Sequence, residues 1–88
     1  MEKQSKKWVD EFGNDIVGAI LRDDFHAVNF EVDGILYWFS GWWLLDIGED
    51  EDKVYDSKEA FLKDPIFNGN TLAEIVDKVR VEWLEVEP

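Results

Sequence analysis

Two runs of β-branched and aromatic residues flank the dipeptide Asp33-Gly34 and predict a β-hairpin. A two-residue type I′ turn requires positive φ at both positions, which glycine adopts freely and aspartate tolerates. If these two residues form the loop, Val32 lies opposite Ile35, and this pair sets the register of both strands. The rest of the chain is expected to pack around this hairpin.

That register sorts the hairpin side chains onto two faces, because side chains alternate along a strand and cross-strand partners share a face. One face is apolar throughout and is predicted to form the core; it carries Val28, Phe30, Val32, Ile35, Tyr37 and Phe39. The other face pairs Glu31 with Leu36 and Asn29 with Trp38, followed by Ala27 with Ser40. Glu31 and Asn29 suit water, whereas exposed apolar residues such as Leu36 and Trp38 often mark a binding surface.

The second strand is interrupted at Gly41, where an isolated glycine predicts a β-bulge. The segment Trp42-Trp43-Leu44-Leu45 beyond it is apolar without alternation, so the sequence does not assign its side chains to one face of the sheet or the other. We expect at least one of these two tryptophans to join Leu36 and Trp38 on the second face.

Three shorter elements follow in the middle of the chain. Residues 46–52 form a polar acidic turn, and residues 53–56 predict a short third strand at the edge of an antiparallel meander. Residues 57–63 predict a short helix, which Pro65 prevents from extending.

Apolar residues at three- and four-residue steps predict an amphipathic helix from Ser5 to about Arg22. Gly13 and Asn14 lower helix propensity, so the helix can break there, with Asn14 capping the second piece. We expect Gly13 and Gly18 to permit close packing of this helix on the sheet.

The last element begins at Thr71, which with Glu74 matches a capping box. One helical stripe continues from there and favours a helix to about Leu84; it comprises Leu72, Ile75, Val76, Val79, Trp83 and Val86. Residues 79–83 also alternate, which supports a competing interpretation in which the helix ends near Lys78 and a strand follows.

These elements predict a single α+β domain over residues 1–88, with residues 1–4 flexible. The architecture expected is a three-stranded antiparallel β-meander packed on one face by N-terminal and C-terminal helices, plus a short helix near residues 57–63. A chain of 88 residues that is 45% hydrophobic can bury one modest core. Trp8 and Trp83 are assigned to that core as residues of the first and last helices.

The charge balance narrows the classes of partner. The chain carries 21 acidic residues against nine lysines and arginines, a net charge of −12. Such a chain repels phosphate backbones and anionic lipids and attracts basic proteins, so direct nucleic-acid or membrane binding is disfavoured. No apolar run approaches the length of a membrane span, and the absence of cysteine excludes disulfides. We expect a cytoplasmic protein.

Residues 46–52 are rich in aspartate and glutamate, as calcium-binding loops are, but they lack the spacing of such a loop. An EF-hand loop needs oxygen ligands at positions one, three and five and glycine at position six. With Asp46 first, position three is Gly48; with Asp50 first, position five is Val54. The run is therefore interpreted as a solvated loop.

His26 is the single histidine, and Ser40 and Asp24 would complete a nucleophilic triad with it. No nucleophile elbow or glycine-rich oxyanion loop surrounds Ser40, and a triad is recognised by geometry that spacing does not supply. We interpret His26 as a partly exposed residue at a strand end. The sequence predicts no enzyme and no catalytic, cofactor-binding or metal site.

The tryptophans carry the functional prediction, because tryptophan is enriched at binding hot spots. The residues predicted to bind a partner are Leu36, Trp38, Trp42 and Asn29. The function expected is a small acidic non-catalytic protein-interaction module, whose partner is another protein or a second copy in a homodimer. One alternative is an acidic inhibitor that mimics nucleic acid toward a basic nucleic-acid-binding protein. A small enzyme using His26 is the third.

Overall fold

The Asp33-Gly34 turn and the two strands that it joins form the centre of the fold. The computed structural model describes residues 8–47 and 52–87. Its strands are β1 (Phe25–Val32), β2 (Ile35–Ser40), β3 (Leu44–Asp46), β4 (Asp52–Val54) and β5 (Val79–Val86). The helical segments are α1 (Ile16–Leu21), α2 (Lys58–Lys63) and a 3-10 helix (Leu72–Lys78).

The predicted hairpin is confirmed in register and in turn geometry. Asp33 and Gly34 have φ angles of 53° and 84°, as a type I′ turn requires. Val32 pairs with Ile35, and the pairing continues to Ala27 opposite Ser40. Of the six side chains assigned to the core face, Ile35 is the exception, since it lies beside the turn and is 48% exposed.

The α+β class is confirmed, but the three-stranded meander is wrong. Within the described part of the chain the sheet has five antiparallel strands in the order β4-β3-β2-β1-β5. The predicted third strand is β4, which does lie at the edge, and β3 separates it from β2. The acidic turn is only partly described: Asp46 and Asp52 pair within β3 and β4, and residues 48–51 lie outside the described residues.

The chain reverses at Gly41, so the predicted bulge there is wrong. The Trp43 amide donates to the Ser40 carbonyl at 2.9 Å, and Trp43 has a positive φ of 60°. A Cβ at Gly41 would lie 3.1 Å from the His26 carbonyl oxygen, so glycine allows this close approach of the backbones. The turn packs the Trp43 ring on Phe39, with ring centroids 6.1 Å apart, on the core side of the sheet.

The N-terminal helix is much shorter than predicted, and residues 5–7 lie outside the described residues. The Asp10 carboxylate accepts hydrogen bonds from the amides of Phe12 and Asn14 at 2.8 and 2.9 Å, which holds a turn in place of a helix. Helix α1 begins only after Asp15, whose carboxylate caps it by accepting from the Gly18 amide at 3.0 Å. The helix does break near Asn14, but the capping residue is Asp15.

The expectation that Gly13 and Gly18 permit close packing of the helix on the sheet is wrong. Gly13 has a φ of 85° and has open space where a Cβ would lie, so the turn's conformation accounts for it. A Cβ at Gly18 would lie 3.0 Å from the Asn14 Cβ, which makes its close neighbour a side chain of its own segment.

The last helix ends at Lys78, so the competing interpretation is correct and the favoured helix to Leu84 is wrong. The capping box forms, with the Glu74 carboxylate accepting from the Thr71 amide at 2.8 Å. The next eight residues form β5, which pairs with β1 from Val79 opposite Val32 to Val86 opposite Phe25.

The core lies between one face of the sheet and the three described helical segments. Its aromatic residues stack closely, with Phe61 of α2 only 4.1 Å from Phe39 of β2 between ring centroids. The largest fully buried side chains are Phe30, Phe39, Phe61, Ile16, Ile20, Leu45, Leu72 and Val28.

Helix α2 is tied to the β4 edge through Asp64, the residue that follows it. The Asp64 carboxylate accepts from the Tyr55 hydroxyl at 2.8 Å and from Lys53 Nζ at 3.0 Å. These two hydrogen bonds lower the pKa of Asp64, because both favour its ionised form. The ionised carboxylate therefore fastens the helix to the short edge strand.

We expect Asp64→Asn to lower the free energy of unfolding at neutral pH, with a gap to wild type that closes in acid. A carboxyl group whose folded-state pKa is depressed stabilises the fold above its unfolded pKa of about 3.9, and this contribution is lost as the pH falls through the folded-state pKa. Urea unfolding from pH 7 down to pH 2 measures the gap, and the exposed Asp77→Asn serves as control. A gap that stays constant down to pH 2 would contradict this role for Asp64.

Candidate protein-binding face of the sheet

The sheet face opposite the core, called the open face below, carries none of the described helices. All three helical segments contribute buried residues to the core cluster on the other side. The strand pairing places on the open face Ala27, Asn29, Glu31, Leu36, Trp38, Asp46, Asp52, Arg80, Trp83 and Glu85.

Two tryptophans on this face stack on each other across strand β1. Trp38 of β2 and Trp83 of β5 both pair with Asn29 of β1, from opposite sides. Their ring centroids are 5.3 Å apart and their planes differ by 12°, so the two rings lean over β1 into contact. Ala27, the next residue of β1 on this face, is buried, and its small side chain leaves room for the rings.

The assignment of Trp83 to the core is wrong. Trp83 lies in a strand and on the open face, and it is 45% exposed. Trp8 is partly buried and packs against the core cluster. The stacked partner of Trp38 was thus missed. The alternation of residues 79–83 indicates a strand, but by itself it would place Trp83 on the core face with Val79 and Val81, and only the extra residue Glu82 moves Trp83 to the open face.

Three of the four residues predicted to bind a partner lie together. Asn29, Leu36 and Trp38 line one shallow hollow of about 390 Å³ beside Asp46. Leu36 is 52% exposed there. Asn29 and Leu36 also border an adjoining hollow, which reaches Arg80 on β5.

The Asn29 side chain presents an unmet hydrogen-bond acceptor within this group. Its Oδ1 atom is buried and has no hydrogen-bond partner among the described residues. Buried polar atoms are nearly always hydrogen-bonded in folded proteins, so an exception calls for a donor from elsewhere. Because the atom is buried, a donor from a partner reaches it only if the side chains around it move apart.

Trp42, the fourth predicted residue, lies at the far end of the hairpin from Leu36. It is 83% exposed and borders a different hollow, beside His26 and Glu87. Neither of the two hollows around Asn29 includes it. The structure therefore separates Trp42 from the other three, and its role in binding stays a prediction.

The charge on the open face is predominantly negative. It holds carboxylates on four strands and one guanidinium, that of Arg80, which binds Glu31 at 2.8 Å and Glu82 at 2.7 Å. The hydrogen bond with Glu31 raises the pKa of Arg80, so this cation stays charged. The carboxylates are Glu31, Asp46, Asp52, Glu82 and Glu85.

The three residues of the hypothetical triad are engaged elsewhere. The Asp24 carboxylate binds the Arg22 guanidinium at 2.7 and 2.8 Å, which lowers the Asp24 pKa. The Ser40 hydroxyl accepts from the Trp42 amide at 3.3 Å, and His26 Nδ1 lies 4.0 Å from a Glu87 carboxylate oxygen. The structure does not bring His26, Ser40 and Asp24 into a relay.

No cluster of three or more histidine, aspartate or glutamate side chains is arranged to hold a metal ion in residues 8–47 and 52–87. In the same ranges no helix has the length and apolar character needed to cross a bilayer.

Comparison of the chain with protein-family models, with curated proteins and with solved structures found no match. The interpretation of the open face therefore rests on its own geometry. A partly exposed aromatic stack beside the exposed Leu36, with carboxylates on the surrounding strands, suits a partner that brings apolar surface and positive charge.

We expect the Trp38–Trp83 stack to contribute a measurable coupling energy. Stacked aromatic pairs are worth about 1 kcal/mol beyond the area that they bury. A double-mutant cycle of Trp38→Ala and Trp83→Ala, followed by urea unfolding, isolates that energy. The matched cycle of Trp42→Ala with Trp83→Ala should be additive. Additivity in the Trp38–Trp83 cycle itself would contradict the stack.

Proposed function

We propose that this chain is a non-catalytic protein-interaction module that binds a basic, partly apolar segment of another protein on its open face. The observation that carries the proposal is the stacked Trp38–Trp83 pair beside the exposed Leu36. Tryptophan recurs at binding hot spots because it buries a large area with few rotatable bonds and keeps a polar N–H.

The charge of the face defines the chemistry of the partner. Carboxylates surround the aromatic pair, so arginine and lysine side chains are attracted and acidic surfaces are repelled. A guanidinium laid on an indole ring gains cation–π attraction, and its N–H groups are suited to the surrounding carboxylates. Arginine next to an aliphatic residue is therefore the feature that we expect in the bound segment.

An acidic inhibitor that mimics nucleic acid is the second proposal, and the acidic ring of the same face supports it. A mimic works through carboxylates at phosphate-like spacing, so its affinity depends on salt more than on tryptophan. The interaction module works through buried aromatic area, which salt affects little. The two proposals therefore respond differently to the same variants.

The test uses a panel of short peptides that combine arginine or lysine with leucine or phenylalanine, titrated calorimetrically into the full chain. We expect Trp83→Ala and Leu36→Ser each to weaken binding about tenfold, as hot-spot truncations do. Sequence-matched peptides with glutamate in place of the basic residues should not bind. Failure of every basic peptide to bind the wild-type chain would contradict the proposal.

Trp42→Ala is the matched control, because it removes an exposed indole outside the two hollows. Unchanged affinity in this variant confines the site to the open face. Loss of affinity equal to that of Trp83→Ala would extend the site to the turn after β2. Binding that tolerates Trp83→Ala but falls steeply between low and high salt would favour the nucleic-acid mimic.

A further inference from the structure

Strand β5 forms a long edge of the sheet. It runs for eight residues from Val79 to Val86 and pairs with β1 on one side. On its other side no strand of the described residues pairs with it, since β5 is the last strand in the sheet order. Edge strands present rows of backbone N–H and C=O groups that can hydrogen-bond to a further strand.

A bulge at the midpoint of β5 changes which residues face the core. Phe30 pairs with Val81 and Asn29 pairs with Trp83, so Glu82 is the extra residue. Before the bulge the odd-numbered residue Val81 faces the core, and after it the even-numbered Leu84 does. Such a shift by one residue moves every later side chain to the opposite face.

The two halves of β5 therefore mirror each other. Val79 and Val81 face the core before the bulge, and Leu84 and Val86 face it afterwards. Between these apolar residues, Arg80 and Glu85 face the open side at equal distances from the midpoint. From either end of β5, the side chains are assigned to the two faces of the sheet in the same order. The two corresponding positions on the open face, Arg80 and Glu85, carry opposite charges.

We infer that β5 pairs antiparallel with β5 of a second copy of this chain, about a twofold axis between Glu82 and Trp83. In this register Val81 lies opposite Leu84 of the second copy, and Val79 lies opposite Val86 of the second copy. Arg80 lies opposite Glu85 of the second copy, and symmetry repeats that ion pair. Every pair joins side chains of the same face, as an antiparallel ladder requires.

The bulge is the reason why the occupant is a second copy. In a strand without a bulge the side chains alternate regularly, so they can share faces with their partners along only one half of β5. Bulges on edge strands discourage pairing with unrelated strands in this way. A strand with the same bulge at its centre, running antiparallel, matches both halves. The pairing is self-complementary in facing and in charge.

Arg80 is able to make this additional contact. Its side chain is 72% exposed, and it binds Glu31 and Glu82 through the same nitrogen, Nη2. The guanidinium has five N–H donors in all, so donors on Nη1 and Nε can reach a further carboxylate. Glu85 is exposed on the same face of the strand.

The pairing would join the open faces of two copies into one continuous surface. Each Trp83 would lie near the shared axis, so the two Trp38–Trp83 stacks would flank it. This inference goes beyond the proposed function and does not depend on it, because it rests on the edge of β5 and not on the Trp38–Trp83 stack. Arg80 and Glu85 belong to both surfaces, so the test measures self-association of the chain with no peptide present.

Sedimentation equilibrium of the full chain over a concentration series tests the inference. We expect a wild-type dimer whose dissociation constant rises at least tenfold in Glu85→Arg, since that change places two guanidinium groups opposite each other at both ends of the ladder. Asp77→Arg makes a similar change of charge on the 3-10 helix and should leave the dimer intact. Circular dichroism confirms that each variant is folded.

Mixing two variants tests the register. Arg80→Glu should be as defective in self-association as Glu85→Arg, but an equimolar mixture of the two restores opposite charges at both pairs and should dimerise. A wild-type chain that is monomeric at all concentrations would overturn the inference. A dimer unaffected by Glu85→Arg, or a mixture of the folded variants that stays monomeric, would overturn it as well.

Discussion

In the described residues, helices cover only one face of the five-stranded sheet, and the rest of the structure depends on this constraint. Three helical segments of six or seven residues are described, and all of them pack on one face. Strand β1 lies between β2 and β5, and on that face its Val28 and Phe30 are fully buried. Its opposite face has to be shielded by side chains of the sheet itself, and the two tryptophans that lean over β1 provide that shield.

The candidate site follows from that partial shielding. The Trp38–Trp83 pair covers the middle of the open face, but Leu36 beside it stays half exposed and Asn29 Oδ1 stays without a donor. Carboxylates on the surrounding strands keep this apolar centre in an acidic setting. This partly shielded apolar surface in an acidic setting is the physical basis of the proposed function.

The parts of the fold that local chemistry decides could be predicted from the sequence. Asp33-Gly34 determined the hairpin and its register, and with them the positions of Asn29, Leu36 and Trp38 on one face. The Thr71 capping box and the Ser57 cap were equally local, and both helical segments begin where expected.

The errors have two physical causes. The N-terminal helix is shortened by a local turn at Asp10, and the remaining errors come from long-range contacts that override a local pattern. The bulge at Glu82 breaks the alternation of β5, so its apolar residues also fit one stripe of a helix. Pairing with β1 stabilises the strand in place of that helix. Trp83 was misplaced with that strand. Similarly, the approach of Gly41 to the His26 carbonyl reverses the chain, which no feature of residues 41–45 reveals.

The central claim is that the open face remains accessible in the full chain. A soluble paramagnetic agent, added during NMR, broadens signals according to their exposure to solvent. The account predicts strong broadening of the Leu36 methyl and Trp83 indole N–H signals, comparable with that of Trp42, and protection of the buried Leu45 methyls. Protection of Leu36 and Trp83 to the level of Leu45 in the monomeric chain would show that the chain itself covers this face, and would contradict the account.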